Sequence, residues 1–472
     1  MGVHRPLNQP AAAGLPADLL AAIAAPGGGK VVLILGAGCS HEQPTGLPLS
    51  GDLSEECHRR LVADRVLGAD VVADPRDLST VAQAVFNLTG GQGDLVERFP
   101  PDRFRNAEPN NGYLILAALL IEGAVSCGMT LNFDLAASTA LGQLGAGDSV
   151  STIGGPEEHH RLGARNLIYL HRNIASDPDR LILRRTALEE EWRGRWEEVV
   201  VRRIVGGPMT VFVGLGSPAG VLVETTQRIL GNLRGVGATV YVVDPLEAER
   251  SAFFAALGLA PELYVQMGWT EFMQHLADRL IFEHRASIER ECRSLINDLG
   301  LDQEDVPGVC ERLGALDIIK LGRLRATWVL ESRSYLPFRE VALRLLADIL
   351  LVVGMVERLS GMRANFREEG LVEFSAMGRV AEVIVCSGGG WMRWAQLEAS
   401  LAFRLQQLDR QGRKPSAALV AGVVGGRAQI ATPVNIAGET DSNDVALGAP
   451  GFTIVTVDEL RERPGLVREV IG

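Results

Sequence analysis

The sequence predicts an α/β protein with a Rossmann-like parallel sheet, followed by a helical segment and a small C-terminal α/β module. First, β-like runs alternate with helical patterns from residue 30 to about residue 283, which is typical of a parallel sheet with helices on both faces. Second, the aliphatic run Val31 to Leu35 passes directly into the turn Gly36-Ala37-Gly38, as a buried strand does where a helix begins. Third, Glu, Arg and Leu recur at helical spacing from about 284 to 370.

The elements of the N-terminal region follow from these patterns. Its predicted strands are short β-like runs: Lys30–Leu35, Ala124–Leu131, Asn166–His171, Met209–Gly214 and Ala238–Val243. Helical patterns lie between them, at Leu78–Leu88, Tyr113–Ile121 and Thr186–Ile204. We therefore expect one domain over residues 1–283.

Two further segments complete the predicted organisation. Residues 284–370 are expected to form a helical linker or interaction domain, in which Val341–Leu359 is the most apolar helix. Residues 371–472 are expected to form the small α/β module. Its predicted elements are the strand Val380–Cys386, the helix Met392–Leu408, and the strands Ala417–Val424 and Phe452–Val457.

The C-terminal module resembles the restriction-endonuclease-like fold. Such nucleases hold a metal ion with clustered carboxylates and a lysine. Here the strand Val380–Cys386 carries only Glu382 as a carboxylate, and Cys386 stands where the lysine is expected. We therefore expect a degenerate or merely similar module that serves assembly or sensing.

Composition narrows the classes of function. The net charge of −12 and the pI near 5.3 give no basic field for nucleic acid or anionic membranes, so nucleic acid is expected only indirectly or weakly, through the C-terminal module. The six cysteines contain no CxxC pair, and we expect no metal. The longest apolar run contains Asp348 and is too short to span a bilayer. We expect a soluble, cytoplasmic protein without a signal peptide.

Residues able to bind a ligand cluster where the predicted strands end. The motifs in chain order are "GAGCS" from Gly36, "TLNFD" from Thr130, "YLHRN" from Tyr169, "VFVGLGS" from Val211 and "VYVVDP" from Val240. An open parallel sheet binds its ligand at the carboxyl ends of its strands. The full G-x-G-x-x-G fingerprint is not met, because His41 occupies its third glycine position.

The order of these motifs, with "TGLP" from Thr45 and "GWTEFM" from Gly268, resembles the sirtuin-like domains. Within them it resembles the bacterial sirtuin-like NAD hydrolases of anti-phage defence. The resemblance covers roughly residues 28 to 283, somewhat over half of the chain.

The resemblance implies a site for NAD. Asn132 matches the asparagine of the catalytic pocket, Asp134 the acid that supports it, and His171 the catalytic histidine. The residues implied to bind NAD are Gly36, Ala37, Gly38 and Ser40 at the pyrophosphate and adjacent ribose, Gly214, Gly216 and Ser217 on the adenosine side, and Asp244 at the adenosine ribose hydroxyls.

These residue types suit cleavage of the bond between nicotinamide and ribose. The transition state resembles an oxocarbenium ion, and the leaving group is already cationic, so no general acid is needed. The amide of Asn132 can both donate to and accept from a water or a ribose hydroxyl. A neutral His171 can take a proton from a hydroxyl or from the attacking water.

The leading hypothesis is therefore a regulated NAD hydrolase that acts in anti-phage defence. The resemblance implies a homo-oligomer, a defence-system partner protein, or both. Two residues depart from the family pattern: Arg172 follows His171 where glycine is usual, and Ser138 stands where a glutamate is common.

Two alternatives stay open. A catalytically retired sensor of NAD or ADP-ribose is favoured by Arg172 and Ser138. A deacylase or ADP-ribosyltransferase would use the same pocket, but the four-cysteine zinc module of protein-deacylating sirtuins has no counterpart in this sequence.

Overall fold

The computed structural model describes residues 14–25, 29, 31–145, 150–184, 186–187, 200, 209–216, 220–234, 238–299, 316–328, 339–367, 371–387, 394–421 and 452–471. The chain divides into two compact units, Met1–Leu280 and Ile281–Gly472. Each unit is built around its own sheet. The boundaries predicted at 283/284 and 370/371 stay predictions.

The first unit contains a seven-stranded parallel sheet in the order β3-β4-β2-β1-β5-β6-β7. Its strands are β1 Val31–Leu35, β2 Val125–Thr130, β3 Ser151–Ile153, β4 Asn166–Tyr169, β5 Met209–Val213, β6 Thr239–Asp244 and β7 Tyr264–Gln266. Every residue of β1, β4 and β5 is buried, as expected for parallel strands covered on both faces. The predicted α/β class with a Rossmann-like sheet is confirmed.

Helices separate these strands along the chain. Their bounds are Ala17–Ala24, Ala37–His41, Ser50–Ala63, Leu78–Thr89, Gly93–Val96, Pro101–Arg105, Asn111–Ile121, Ala136–Gln143, Gly220–Arg234 and Ala252–Leu257. The core under the sheet is mainly aliphatic and includes Ile34, Met129, Ile168, Phe212 and Val242, one residue from each of five strands. The helix predicted at Thr186–Ile204 lies largely outside the described residues.

The strand order creates a switch point between β1 and β5. From β1 the chain moves to one side of the sheet for β2, β3 and β4, and to the other side for β5, β6 and β7. Leu35 pairs with Thr130 on one side and with Val213 on the other, so these strands end at the same level. Open α/β sheets bind ligands at this kind of position.

The second unit contains a five-stranded mixed sheet in the order β12-β11-β10-β9-β8. Its strands are β8 Arg363–Phe366, β9 Leu371–Ala376, β10 Arg379–Ser387, β11 Ala417–Ala421 and β12 Thr453–Thr456. The first three pair antiparallel, whereas β10, β11 and β12 pair parallel. The predicted small C-terminal α/β module is confirmed, and its likeness to nucleases stays a prediction.

Helices precede, separate and follow the strands of this second sheet along the chain. They are Ile318–Trp328, Arg339–Ser360, Trp394–Arg410, Val457–Glu462 and Leu466–Ile471, and the long helix Trp269–Leu299 contains the boundary between the two units. The segment 284–370, expected to be a helical linker or interaction domain, also contains the strand β8, which the sequence patterns did not predict. This four-residue strand alternates exposed with half-buried positions and pairs only with β9, so it is an edge strand with a weak hydrophobic pattern.

None of the helices in the described ranges is both long enough and apolar enough to cross a membrane.

Candidate functional site

The site residues predicted from the sequence lie at the carboxyl ends of five adjacent strands. Gly36, Ala37, Gly38 and Ser40 follow β1, Asn132 and Asp134 follow β2, His171 follows β4, Gly214 and Gly216 follow β5, and Asp244 is the last residue of β6. Ser217 lies outside the described residues. The parallel registers bring these strand ends to one edge of the sheet, on both sides of the switch point.

Two glycine turns touch each other at the switch point. The N–H of Gly36 donates to the carbonyl of Val213 and the N–H of Gly38 donates to the carbonyl of Gly214, both at 2.9 Å. A Cβ at Gly38 would lie 2.9 Å from Gly214 Cα, and Gly214 has a φ of +68°. Gly38 and Gly214 therefore allow close packing of the turns. The N–H groups of Gly36 and Gly38 already have backbone acceptors.

A buried polar cluster joins the ends of β1 and β2. Ser40 Oγ donates to Asp134 Oδ2 at 2.7 Å. Asn132 Nδ2 donates to the carbonyl of Gly36 at 2.8 Å and to Ser40 Oγ at 3.1 Å. The backbone N–H of Asn132 donates to Thr130 Oγ1 at 3.0 Å. Four of the predicted residues, Gly36, Ser40, Asn132 and Asp134, are thus connected by direct hydrogen bonds.

The amide oxygen of Asn132 is the free end of this cluster. Its amide nitrogen is used by Gly36 and Ser40, whereas Oδ1 has no hydrogen-bond partner among the residues described. Asn132 is 8% exposed, more than Ser40 at 2% or Asp134 at 4%. A ligand that reaches the cluster therefore meets a hydrogen-bond acceptor at Asn132.

Asp134 holds its place through two kinds of donor. Its Oδ1 accepts from the backbone N–H of Ala136 at 3.0 Å, at the first residue of the helix Ala136–Gln143, and its Oδ2 accepts from Ser40. Burial raises the pKa of the Asp134 carboxyl, and the hydrogen bonds from Ser40 and the backbone oppose that shift. Asp134 therefore contacts the cluster through its hydrogen bond with Ser40.

Tyr113 belongs to the same cluster, although no motif in the sequence singles it out. Its hydroxyl lies 2.6 Å from Ser40 Oγ and accepts from Asn132 Nδ2 at 3.3 Å. It lies in the helix Asn111–Ile121, whose residues are nearly all apolar and buried. From the sequence pattern, its side chain would be assigned to the hydrophobic core. Burial is the main cause that raises the pKa of this phenol well above its usual value, with the charge of Asp134 second.

Asn110 and Trp269 fix the position of Tyr113. Asn110 Oδ1 accepts from the backbone N–H of Tyr113 at 3.2 Å and from Trp269 Nε1 at 3.1 Å. Asn110 Nδ2 donates to the carbonyl of Cys39 at 2.7 Å. The rings of Tyr113 and Trp269 meet edge to face at 5.6 Å. Trp269, from the motif "GWTEFM", therefore packs against the residues that form the cluster.

Glu42 attaches the start of the long helix to the same region. Its two carboxylate oxygens accept from the backbone N–H groups of Trp269 at 2.7 Å and Thr270 at 3.0 Å. A carboxylate at a helix N-terminus satisfies unpaired N–H groups and favours the helix dipole. This contact joins the segment that follows "GAGCS" to the start of "GWTEFM". A glutamate four residues after Gly38 was too weak a signal to predict it.

His171 occupies a separate buried position. Its Nε2 lies 3.2 Å from Thr225 Oγ1, in the helix Gly220–Arg234. Burial first, and the charge of Arg172 second, lower the pKa of His171 to about 3, so the imidazole is neutral at pH 7. Arg172 is itself buried and has a φ of +71°, in the region where the usual glycine has no steric cost.

Asp244 has the contacts of a turn residue. Its Oδ1 accepts from the backbone N–H of Leu246 at 2.9 Å, and its Oδ2 accepts from Ser251 Oγ at 3.1 Å. A Cβ at Gly216 would lie 3.4 Å from Asp244 Oδ2, so the end of β5 passes close to this carboxylate. Binding of ribose hydroxyls by Asp244 stays a prediction.

Ser138, where the family pattern has glutamate, is integrated into the fold. Its Oγ lies 2.7 Å from the hydroxyl of Tyr169, the last residue of β4. Within the described part of the chain, no three His, Cys, Asp or Glu side chains are grouped as a metal site would require.

Among the comparisons with known proteins, only the one with solved structures finds similar chains. No protein-family model and no curated protein matches the chain. Among solved structures, it aligns with a Sir2 homologue in complex with NAD, at 17% identity and a TM-score of 0.32 over 58% of this chain and 95% of the other. It also aligns with a Sir2 homologue variant in complex with ADP-ribose, at 16% identity and a TM-score of 0.34 over 56% and 96%. These low scores carry no weight in assigning the fold, which follows from the strand order.

The fold and the site together define a class. The chain has a Rossmann-like α/β unit, and a buried cluster of hydroxyl, amide and carboxyl groups lies at its switch point. Such an arrangement can orient a small polar ligand through hydrogen bonds, and a neutral histidine follows β4, the strand next to β2.

Proposed function

We propose that this protein hydrolyses NAD to ADP-ribose and nicotinamide. The observation that carries the proposal is the network in which Ser40 and Gly36 bind the amide nitrogen of Asn132 and leave its oxygen as an acceptor at the switch point. The ordered motifs of the sequence support NAD as the ligand.

The reaction breaks the C1′–N bond and one O–H bond of water, and it forms one C1′–O bond. The C1′–N bond breaks with its electron pair moving to the nicotinamide ring, which becomes neutral. A water oxygen bonds to C1′, and its proton is finally released to solvent. Because no strong acid is needed, the protein contributes orientation and stabilisation of charge. Asn132 Oδ1 would accept from the attacking water or from a ribose hydroxyl and hold it beside C1′.

His171 is assigned the second role, as a proton acceptor. It is neutral at pH 7, as a base must be, but a pKa of about 3 makes it a weak base in this buried position. We therefore expect His171 to act only after the contact with Thr225 opens and water or substrate reaches the ring. This requirement fits an enzyme that is held back until it is triggered.

Hydrolysis is preferred to transfer of an acyl or ADP-ribosyl group to a protein. The six cysteines are widely spaced in sequence, and Cys39, Cys57, Cys127, Cys292 and Cys386 are buried free thiols. The zinc module that supports the acyl-lysine platform of deacylating sirtuins therefore has no counterpart in these residues. Water is the acceptor that needs no such platform.

A retired sensor is the second candidate. It is favoured by one observation, the complete burial of His171 beside a buried Arg172. A sensor would bind NAD or ADP-ribose at the same edge of the sheet and leave the ligand uncleaved.

A role in anti-phage defence completes the proposal. It rests on the sequence resemblance, and it includes assembly into an oligomer or with a partner protein. Cells that express the native chain should lose NAD and limit plaque formation when phage is added. Cells that express Asn132→Ala should keep their NAD and lyse. Equal plaque numbers for both chains would remove the defence role while leaving hydrolysis to its own test.

The enzymatic test follows nicotinamide release by chromatography, with NAD binding measured in parallel by calorimetry. Native protein should release nicotinamide, and Asn132→Ala and His171→Ala should each lower the rate by about 100-fold or more. Asn87→Ala, an exposed asparagine bonded to Gln83, is the matched control and should keep the native rate. Binding without cleavage by the native protein, alone and in cell extract from infected cells, would favour the sensor.

A further inference from the structure

We propose that Tyr113 is a positioning residue that holds the amide of Asn132 in its working orientation. The inference rests on the proposed function, because it concerns how that site presents its acceptor. The hydroxyl of Tyr113 contacts both Ser40 Oγ, at 2.6 Å, and Asn132 Nδ2, at 3.3 Å.

Counting protons fixes the direction of the first contact. Ser40 has one hydroxyl proton, which it donates to Asp134 Oδ2 at 2.7 Å. In the contact between Ser40 and Tyr113, the phenol must therefore be the donor. The result is a directed chain in which Tyr113 donates to Ser40 and Ser40 donates to Asp134.

The same count fixes the orientation of Asn132. The carbonyl of Gly36 is an acceptor only, so the amide nitrogen must face it, at 2.8 Å. The second amide proton is shared between Ser40 Oγ at 3.1 Å and Tyr113 at 3.3 Å. Both protons of the amide are then committed, and Oδ1 is the only group that Asn132 can offer to a ligand.

Tyr113 is suited to this task because its own position is fixed and its proton stays bound. The backbone N–H of Tyr113 is held by Asn110, and its ring packs edge to face on Trp269. Its pKa is raised well above the usual value, mainly by burial, so the phenol remains a donor throughout the pH range of an assay. Without its hydroxyl, Ser40 loses a donor, and Asn132 loses one of two acceptors for its second proton.

The substitution Tyr113→Phe removes only the hydroxyl, and Tyr169→Phe is a matched control. Tyr169 is also fully buried and its hydroxyl also pairs with a serine, Ser138, at 2.7 Å, but it has no bond to Asn132. Loss of one hydrogen bond of this type corresponds to about a three- to tenfold effect. We expect Tyr113→Phe to lower kcat by about that factor with less change in KM, and Tyr169→Phe to change neither.

The choice of nucleophile gives a readout that is independent of the folded fraction. In water containing methanol, cleavage of NAD yields ADP-ribose and its 1-O-methyl glycoside, because methanol competes with water for C1′. If Asn132 Oδ1 positions the water, Tyr113→Phe should shift this product ratio towards the methyl glycoside. The native ratio in Tyr113→Phe would overturn the inference.

A binding cycle tests the inference without turnover. ADP-ribose affinity is measured by calorimetry for the native chain, Tyr113→Phe, Asn132→Ala and the double variant. ADP-ribose carries at C1′ the hydroxyl that derives from the attacking water, so Tyr113→Phe should weaken its binding about three- to tenfold in the native background and have no further effect when Asn132 is alanine. Equal losses in both backgrounds would overturn the positioning role. Binding without cleavage would contradict hydrolysis alone, whereas no ADP-ribose binding by the native chain would overturn both proposals.

Discussion

Gly38→Ala tests whether the two glycine turns at the switch point are packed as closely as described. The added Cβ would lie 2.9 Å from Gly214 Cα and 3.0 Å from the carbonyl oxygen of Gly214. Both distances are below ordinary van der Waals contact, and the atoms are backbone, so no side chain can move aside. The two turns must separate, and the bond from Gly38 N–H to Gly214 must lengthen from 2.9 Å.

Three contributions set the size of the effect. Overpacking of this kind costs about 1–3 kcal/mol, and weakening one backbone hydrogen bond costs about 1 kcal/mol. Alanine in a helix regains up to about 1 kcal/mol relative to glycine, and Gly38 is within the helix Ala37–His41. The free energy of unfolding should therefore fall by about 1–3 kcal/mol.

The assay is chemical denaturation of the native chain, Gly38→Ala and the control Gly231→Ala. Gly231 also lies in a helix, Gly220–Arg234, but a Cβ there would meet no atom within 4 Å. This control should raise the free energy of unfolding by up to about 1 kcal/mol. A Gly38→Ala protein as stable as Gly231→Ala would refute the close packing of the turns.

Three further outcomes are expected. Between pH 6.5 and about 3 the unfolded chain binds a proton at His171 that the folded chain does not. The free energy of unfolding should therefore fall as pH falls, by about 1.4 kcal/mol per pH unit from this residue. In a denaturation series at different pH values, His171→Gln should show a shallower fall. Glu42→Gln should lower the free energy of unfolding by about 1 kcal/mol by weakening the cap on Trp269 and Thr270, and an unchanged denaturation midpoint would contradict that cap. Asn110→Ala should cost about 1–3 kcal/mol in the same assay, because it removes the acceptor of the Trp269 indole N–H and the donor to the Cys39 carbonyl, and a loss below about 0.5 kcal/mol would contradict its role.

The regular parts of the fold were predictable because their hydrophobic patterns are strong. The runs that form β1, β2, β4, β5 and β6 are each at least four residues long and consist mainly of buried residues. The strands β3 and β7 have three residues each and carry no such pattern, so only pairing with a neighbour defines them. The edge strand β8 was missed for the same physical reason.

The residues of the candidate site that follow the strands were predictable, but the residues that pack against them from other elements were not. Polar residues that follow a buried strand stand out in sequence, as Asn132 and Asp134 do. Tyr113 lies within an apolar helix, and its role depends on a contact across 73 residues of sequence with Ser40. The two short contacts of Glu42 with the backbone span 227 and 228 residues. Local patterns contain no information about such pairings.

The most direct test of the central claim is nicotinamide release from NAD by the native chain and by Asn132→Ala, each normalised to folded protein. The account predicts release by the native chain, in isolation or after addition of extract from phage-infected cells, and at least about a 100-fold lower rate for Asn132→Ala. Equal rates for the two proteins, or no release by the native chain under either condition, would contradict the claim that Asn132 presents a working acceptor for NAD hydrolysis.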